Sequence, residues 1–204
     1  MKNIINIAVV GLGQVGIYLL NELNLKKKDI EIKTGKRINI VDVSAKNINK
    51  KRQFKFDKKN FFKNPLEIFK KKKVDILFEA IGQSDGVSKK IVETALKNKT
   101  HVITPNKALI SKHGNNLAKL AEKNNVNLEF EASVAGGIPV LRSIKEGLAT
   151  NKISKVYGIL NGTSNYILSE MENSNLNFSD VLKKAQKLGY AEPGNHKLDL
   201  NGFD

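Results

Sequence analysis

The chain has 204 residues, 40% of them hydrophobic and 27% charged, with no cysteine and no tryptophan. That length suits one large domain, or one domain and part of another; the lack of cysteine excludes a disulfide scaffold, a zinc–thiolate site and a thiol nucleophile. The formal charge of +15 rests on 32 lysines and only three arginines, Arg37, Arg52 and Arg142, so it reads as solvated lysine faces rather than a nucleic-acid groove, which favours arginine's planar fork. No apolar run approaches the ~20 residues that cross a bilayer, and a soluble, cytoplasmic protein is expected.

In chain order, Ile4 to Val10 is an apolar strand, and Gln14 to Leu23 a helix with Val15, Leu19, Leu20 and Leu23 inward. Lys26 to Lys36 reads as a polar loop or ragged edge, Ile38 to Val43 as a second strand, and Lys46 to Lys59 as a basic surface loop. Pro65 opens a short helix through Lys70. Val74 to Ile81 is a third strand, Val87 to Lys97 a helix, His101 to Thr104 a fourth strand, Ser111 to Asn124 a helix and Val126 to Ala132 a fifth strand. Five such alternations predict an α/β fold, a Rossmann-type doubly wound parallel sheet over residues 1–130. After Gly136-Gly137-Ile138-Pro139 the rhythm changes. A helix (Val140 to Ala149), a longer strand (Ile153 to Leu160) and helices near Ser164 to Glu172 and Ser179 to Leu188 suggest the start of an α+β domain over 131–204. The tail has turn chemistry and no closing element, as expected of a truncated chain.

Gly11-Leu12-Gly13-Gln14-Val15-Gly16 matches G-x-G-x-x-G, directly after a strand and opening a helix. Gly11 permits the tight turn, Gly13 lets backbone approach a pyrophosphate, and Gly16 allows close helix–strand packing. The helix start adds unpaired N–H groups and a partial positive charge. Gln14 and Val15 belong to the same binding turn, and Gly82, after the third strand, joins the cofactor set. Asp42, ending the second strand, suits the hydroxyls of an adenosine ribose and favours NAD. Lys46, Lys50, Lys51 and Arg52 follow closely and suit the 2′-phosphate of NADP.

Further on come Thr104-Pro105-Asn106-Lys107, Phe130 to Pro139, Gly158 to Ile167 with its Asn161-Gly162-Thr163 turn, Gly189-Tyr190-Ala191-Glu192-Pro193, and Asp199 to Asp204. With these ordered motifs the chain resembles homoserine dehydrogenase from Ile7 to Asp204. The resemblance implies hydride transfer between NAD(P)H and L-aspartate 4-semialdehyde, giving L-homoserine on the route to threonine and methionine. It implies that Lys107 lies between nicotinamide and substrate and that Asp204 assists catalysis. Glu192, helped by Thr163 and Asp199, holds the substrate's amino group. A monovalent cation, usually sodium, is held near Glu131, Val134, Gly136 and Ile138, largely through carbonyl oxygens. It also implies a homodimer for the full-length enzyme, with residues 131–204 part of its substrate and dimerisation domain.

The chemistry of the residue types agrees. Negative charge builds on the aldehyde oxygen as hydride arrives, and a nearby ammonium stabilises or protonates it. A substrate ammonium calls for carboxylates, and a hard cation for oxygen ligands. Two departures from the family's pattern stand out. Val41 occupies the place of an arginine suited to NADP, which strengthens the lean to NAD, and the loop after Glu192 carries an added residue. A second lysine, the family's proton donor, falls one helical turn beyond Asp204 and outside the chain. From another class, a non-catalytic dinucleotide-binding module is the rival expectation.

Overall fold

The structure, a computed structural model, describes residues 3–54, 56–71, 73–191 and 200. It divides into two compact units, Met1–Phe130 and Glu131–Asp204. In the first, six strands form one parallel sheet: β1 (Ile4–Val10), β2 (Arg37–Ser44), β3 (Phe61–Phe62), β4 (Ile76–Glu79), β5 (His101–Ile103) and β6 (Leu128–Glu129). Their order across the sheet is β3-β2-β1-β4-β5-β6, so the winding reverses beside β1, where open sheets of this kind bind ligands.

Alternation along β1 builds two cores. Ala8 and Val10 face one side, among Leu77, Val102, and buried residues of α4 (Val87–Lys97) and α5 (Lys107–Lys123), including Ile91, Leu96, Leu109 and Leu117. Ile7 and Val9 face the other, with Ile38, Val43 and Phe78 of the sheet and Leu20 of α1 (Gln14–Leu25). A period of two on the strands meets a period near 3.6 on the helices, and each buries its apolar stripe.

Several elements depart from expectation. Residues 26 to 36 are no loop: α2 (Lys27–Thr34) forms there, without one fully buried residue. Lys27, Lys28, Glu31 and Lys33 favour helix, half-buried Ile30 packs against the core on the α1 side, and Gly35 ends the helix in the left-handed region. The basic stretch after residue 46 carries Phe54, Phe56 and Phe61 against the core on the α1 side, Phe56 stacks on Phe61, and β3 adds a sixth strand. Tertiary packing of these rings decides the segment, and the surrounding lysines hide it in the sequence. Val15 is 54% exposed rather than inward, because Ile17, Leu19, Leu20 and Leu23 make the apolar stripe.

The short helix at Pro65 is a 3₁₀ turn (Pro65–Glu67), capped by the Asn64 side chain, that runs into α3 (Ile68–Lys71). The third and fifth expected strands are shorter, since pairing limits them to β4 and β6. Helix α5 begins four residues earlier than expected, at Lys107, because the Asn106 carboxamide accepts the Leu109 N–H and caps it.

In the second unit, α6 (Val140–Arg142) passes into a π-helical turn (Ser143–Gly147), followed later by α7 (Gly162–Ser174) and α8 (Phe178–Leu188). Ile167, Val181, Leu182 and Ala185 bury one another between α7 and α8, and Lys184 pairs with Glu170 at 2.5 Å across them. The strand expected over Ile153 to Leu160 does not form. Val156, Tyr157 and Ile159 are exposed, and among the described residues of this unit no strand pairs with them. A β-pattern becomes a strand only where a partner accepts its hydrogen bonds.

Candidate functional site

The glycine turn joins β1 to α1 at the reversal of strand order. Gly11 has φ +94°, and its N–H donates to the Ser44 carbonyl at 2.9 Å. A Cβ there would overlap the Ala80 carbonyl, so β1 and the segment after β4 approach as backbones. At Gly16 a Cβ would overlap the Gly11 carbonyl, which is how α1 seats against its own turn. Gly13 differs. As the residue capping α1 it has open space where a Cβ would be, and no side chain caps the helix's first N–H groups. An anion approaching there meets backbone donors and the positive end of α1.

A cleft of about 500 Å³ opens over this turn. Gly11 to Gly13 form its floor, Ser44, Ala45, Lys46, Lys50 and Arg52 its β2 side, and Ala80, Ile81, Gln83 and Val87 its β4 side. Gln14 and Val15 line a neighbouring groove of about 630 Å³ along α1. Gly82 has φ +85° with open space at its Cβ. Asp42 lies apart from the cleft. It is 1% exposed, within β2, and borders a small cavity beside Phe54, Phe56 and Asp57. Arg52 spends its guanidinium on the carbonyls of Lys50 and Asn47, at 3.0 and 2.6 Å, which closes its own loop.

Two strands from β1 and past the carboxyl end of β5, Lys107 is the first residue of α5 and half-buried. The segment before it is fixed by Glu79, the last residue of β4, whose side chain is fully buried. Its Oε1 accepts the Ile81 N–H at 2.8 Å and the Ser88 hydroxyl at 3.0 Å, and its Oε2 accepts the Thr104 hydroxyl at 2.7 Å. The Asn106 carboxamide donates to the Gln83 carbonyl at 2.9 Å and reaches Glu79 Oε2 at 3.3 Å. Glu79 was not among the expected site residues; the signal for it is a glutamate closing an otherwise apolar strand.

In the second unit, Glu131 opens a 3₁₀ turn (Glu131–Ser133). One carboxylate oxygen accepts the Arg142 N–H at 3.0 Å, while the other is buried without a hydrogen-bond partner. Val134 and Gly136 follow in tight turns closed by Val134 N–H to Glu131 carbonyl and Ile138 N–H to Ala135 carbonyl. The Ile138 carbonyl already accepts the Val140 N–H. Thr163, in the first turn of α7 behind the Asn161 cap, donates its hydroxyl to the Tyr190 carbonyl at 2.5 Å. Tyr190 also stacks on Tyr166, centroids 4.7 Å apart. Glu192, Asp199 and Asp204 lie outside the described residues.

A six-stranded parallel sheet in this order, with a glycine turn and a cleft at its reversal point, defines a Rossmann-type dinucleotide-binding protein. The chain belongs to the homoserine dehydrogenase family: the model of the family's NAD binding domain matches residues 11–131, more than half the chain, and that of homoserine dehydrogenase itself matches residues 139–204. It is similar to the homoserine dehydrogenase of Neisseria gonorrhoeae, 42% identical over 98% of this chain and 45% of the relative. It is also similar to that of Bacillus subtilis, 36% identical over 98% of this chain and 46% of the relative.

Among solved structures, a homoserine dehydrogenase from Thiobacillus denitrificans superposes with a TM-score of 0.82 at 36% identity, over 98% of this chain and 46% of that one. A hyperthermophilic archaeal homoserine dehydrogenase in complex with NADPH shares the fold, with a TM-score of 0.77 at 22% identity, over 98% of this chain and 65% of that one. The chain spans about half the length of the curated relatives it matches. Among the described residues, no helix is long and apolar enough to cross a membrane.

Proposed function

We propose that the chain binds a nicotinamide dinucleotide across the cleft and carries part of the machinery that interconverts L-aspartate 4-semialdehyde and L-homoserine. The open backbone at Gly13, capping a helix at the reversal of strand order, is the observation that carries this reading. The pyrophosphate sits on the first N–H groups of α1, beside Gln14 and Val15. The adenosine half extends toward β2. Buried Asp42 reaches its ribose only after local rearrangement, whereas Ser44, Ala45 and Lys46 border the cleft directly. Val41 in place of an arginine favours NAD over NADP. The nicotinamide half extends over the β4 side, past Gly82, toward the start of α5.

When bound, the dinucleotide supplies or accepts the hydride. Lys107, between nicotinamide and substrate, gives electrostatic or acid assistance at the substrate's reacting oxygen, worth ~10²–10⁴ in rate. The substrate's α-ammonium is held by Glu192 and Asp199, with Asp204 at the catalytic centre. Thr163 acts one step back: by tying the Tyr190 carbonyl it fixes the chain two residues before Glu192. The buried, unpartnered oxygen of Glu131 fits a monovalent cation, sodium by preference, with the carbonyls of Val134, Gly136 and Ile138 as further oxygen ligands. A homodimer is the assembly proposed for the full-length enzyme, and residues 131–204 are part of its substrate and dimerisation domain.

The test is homoserine-dependent reduction of NAD⁺ by a longer version of the chain, followed together with the melting temperature of the 204-residue chain. NADH raises the melting temperature in this reading, and homoserine raises it further where Glu192 and Asp199 form a site. Lys107→Ala lowers turnover at least ~100-fold with little change in NADH affinity. Turnover unchanged in that variant removes Lys107 from the mechanism. Stabilisation by NADH with no added stabilisation by homoserine, and no turnover in the longer version, identifies a binding module instead.

A further inference from the structure

Glu79 is a buried carboxylate that the proposed chemistry does not use. Taking such a group out of water costs several kcal/mol, and an apolar residue of similar volume fills a core at lower cost. Packing therefore does not explain a glutamate at the end of β4. Its partners do. The Ile81 N–H comes from the loop that walls the cleft, the Ser88 hydroxyl from the first turn of α4, and the Thr104 hydroxyl from the end of β5. The Asn106 carboxamide bridges Glu79 and the Gln83 carbonyl while its own oxygen caps α5. Thr104 closes the circuit by accepting the Asn106 N–H at 3.1 Å. Each hydrogen bond to Glu79 is one that a carboxylate accepts, and only an acceptor with several lone pairs holds donors from three segments at once.

We infer that Glu79 is a positioning residue: its carboxylate locks the start of α5 to the Ala80–Gln83 wall of the cleft and so fixes the direction in which Lys107 leaves the helix. Lys107 follows Asn106 directly, so its ammonium inherits the angle of the first turn of α5. This rests on the reading of Lys107 given above. A supporting shell of this kind holds a catalytic group within the tolerance the chemistry demands.

Competitive acetylation of the 204-residue chain, read by mass spectrometry with and without saturating NADH, tests the inference without requiring turnover. In the wild type, NADH shields Lys107, and it shields Lys46 and Lys50 on the far side of the cleft. In Glu79→Gln, NADH still binds and still shields Lys46 and Lys50, the melting curve stays cooperative, and shielding of Lys107 is lost. Thr104→Val, which removes one donor to Glu79 at nearly constant shape, gives the same selective loss and serves if Glu79→Gln fails to fold. Equal shielding of Lys107 in wild type and in the folded variants overturns the positioning role and leaves the functional reading intact. Lys107 unshielded in the wild type while Lys46 and Lys50 are shielded instead overturns the placement of Lys107 itself, and the positioning role with it.

Discussion

A methyl group added at Gly16 and one added at Gly13 have opposite consequences, although both glycines belong to one six-residue motif. At Gly16 it meets the Gly11 backbone, which has no free direction to yield. Gly16→Ala is expected to lower stability by about 1–3 kcal/mol in urea unfolding, the usual cost of overpacking. At Gly13 it projects into the open cleft. Gly13→Ala is expected to stay within about 1 kcal/mol of wild type, the scale of a changed helix cap, and to weaken NADH binding measured by fluorescence titration. Equal effects at the two positions would contradict the division between a packing glycine and a ligand-facing one. These three glycines were legible in the sequence because the turn is local. Glu79 was not, since its partners lie at positions 81, 88, 104 and 106 and meet only when two strands and two helices converge.

Elements were legible where periodicity and packing agree. Strand β1 and helix α4 fall within their expected bounds because each carries an apolar pattern that the fold buries. Helix α2 was hidden by its lysines, whose helix propensity is good but whose charge reads as loop. The pattern at Ile153 to Leu160 is genuine, yet no pairing partner lies among the described residues of its unit. Ion pairing between elements also has a pH consequence. Asp85, just ahead of α4, receives Lys112 of α5 at 2.7 Å and His113 at 2.9 Å, besides the Ser84 hydroxyl. The Lys112 ammonium, then the Ser84 hydroxyl and His113, hold its carboxyl well below the ordinary carboxylate range. A depressed carboxyl stabilises the fold above the unfolded-state value of about 3.9 and loses that contribution as pH falls toward the folded-state value. Asp85→Asn is therefore expected to melt lower than wild type at neutral pH, with the gap closing progressively below about pH 4. Because Asp85 is half-exposed, added salt should shrink the gap at neutral pH. A gap that widens in acid would refute this account.

At the scale of the molecule, the two larger cores are built wholly from residues up to Phe130, while the smaller one, between α7 and α8, is built from residues beyond it. Residues 1–130 alone are therefore expected to unfold cooperatively in urea and to bind NADH with the affinity of the 204-residue chain, as calorimetry would show. Residues 131–204 alone are expected not to unfold cooperatively, since a chain so short with so small a core rarely offsets its ordering entropy. Cooperative unfolding of the second piece would overturn that. By itself the amino-acid sequence determined the parallel sheet, the glycine turn and the family, because alternation, apolar periodicity and backbone-demanding glycines are properties of neighbours along the chain. Only the tertiary structure decided that Asp42 lies buried beside phenylalanines rather than in the cleft, and that a glutamate anchors the helix bearing Lys107. Burial and hydrogen bonding between distant segments exist only once the chain has brought those segments together.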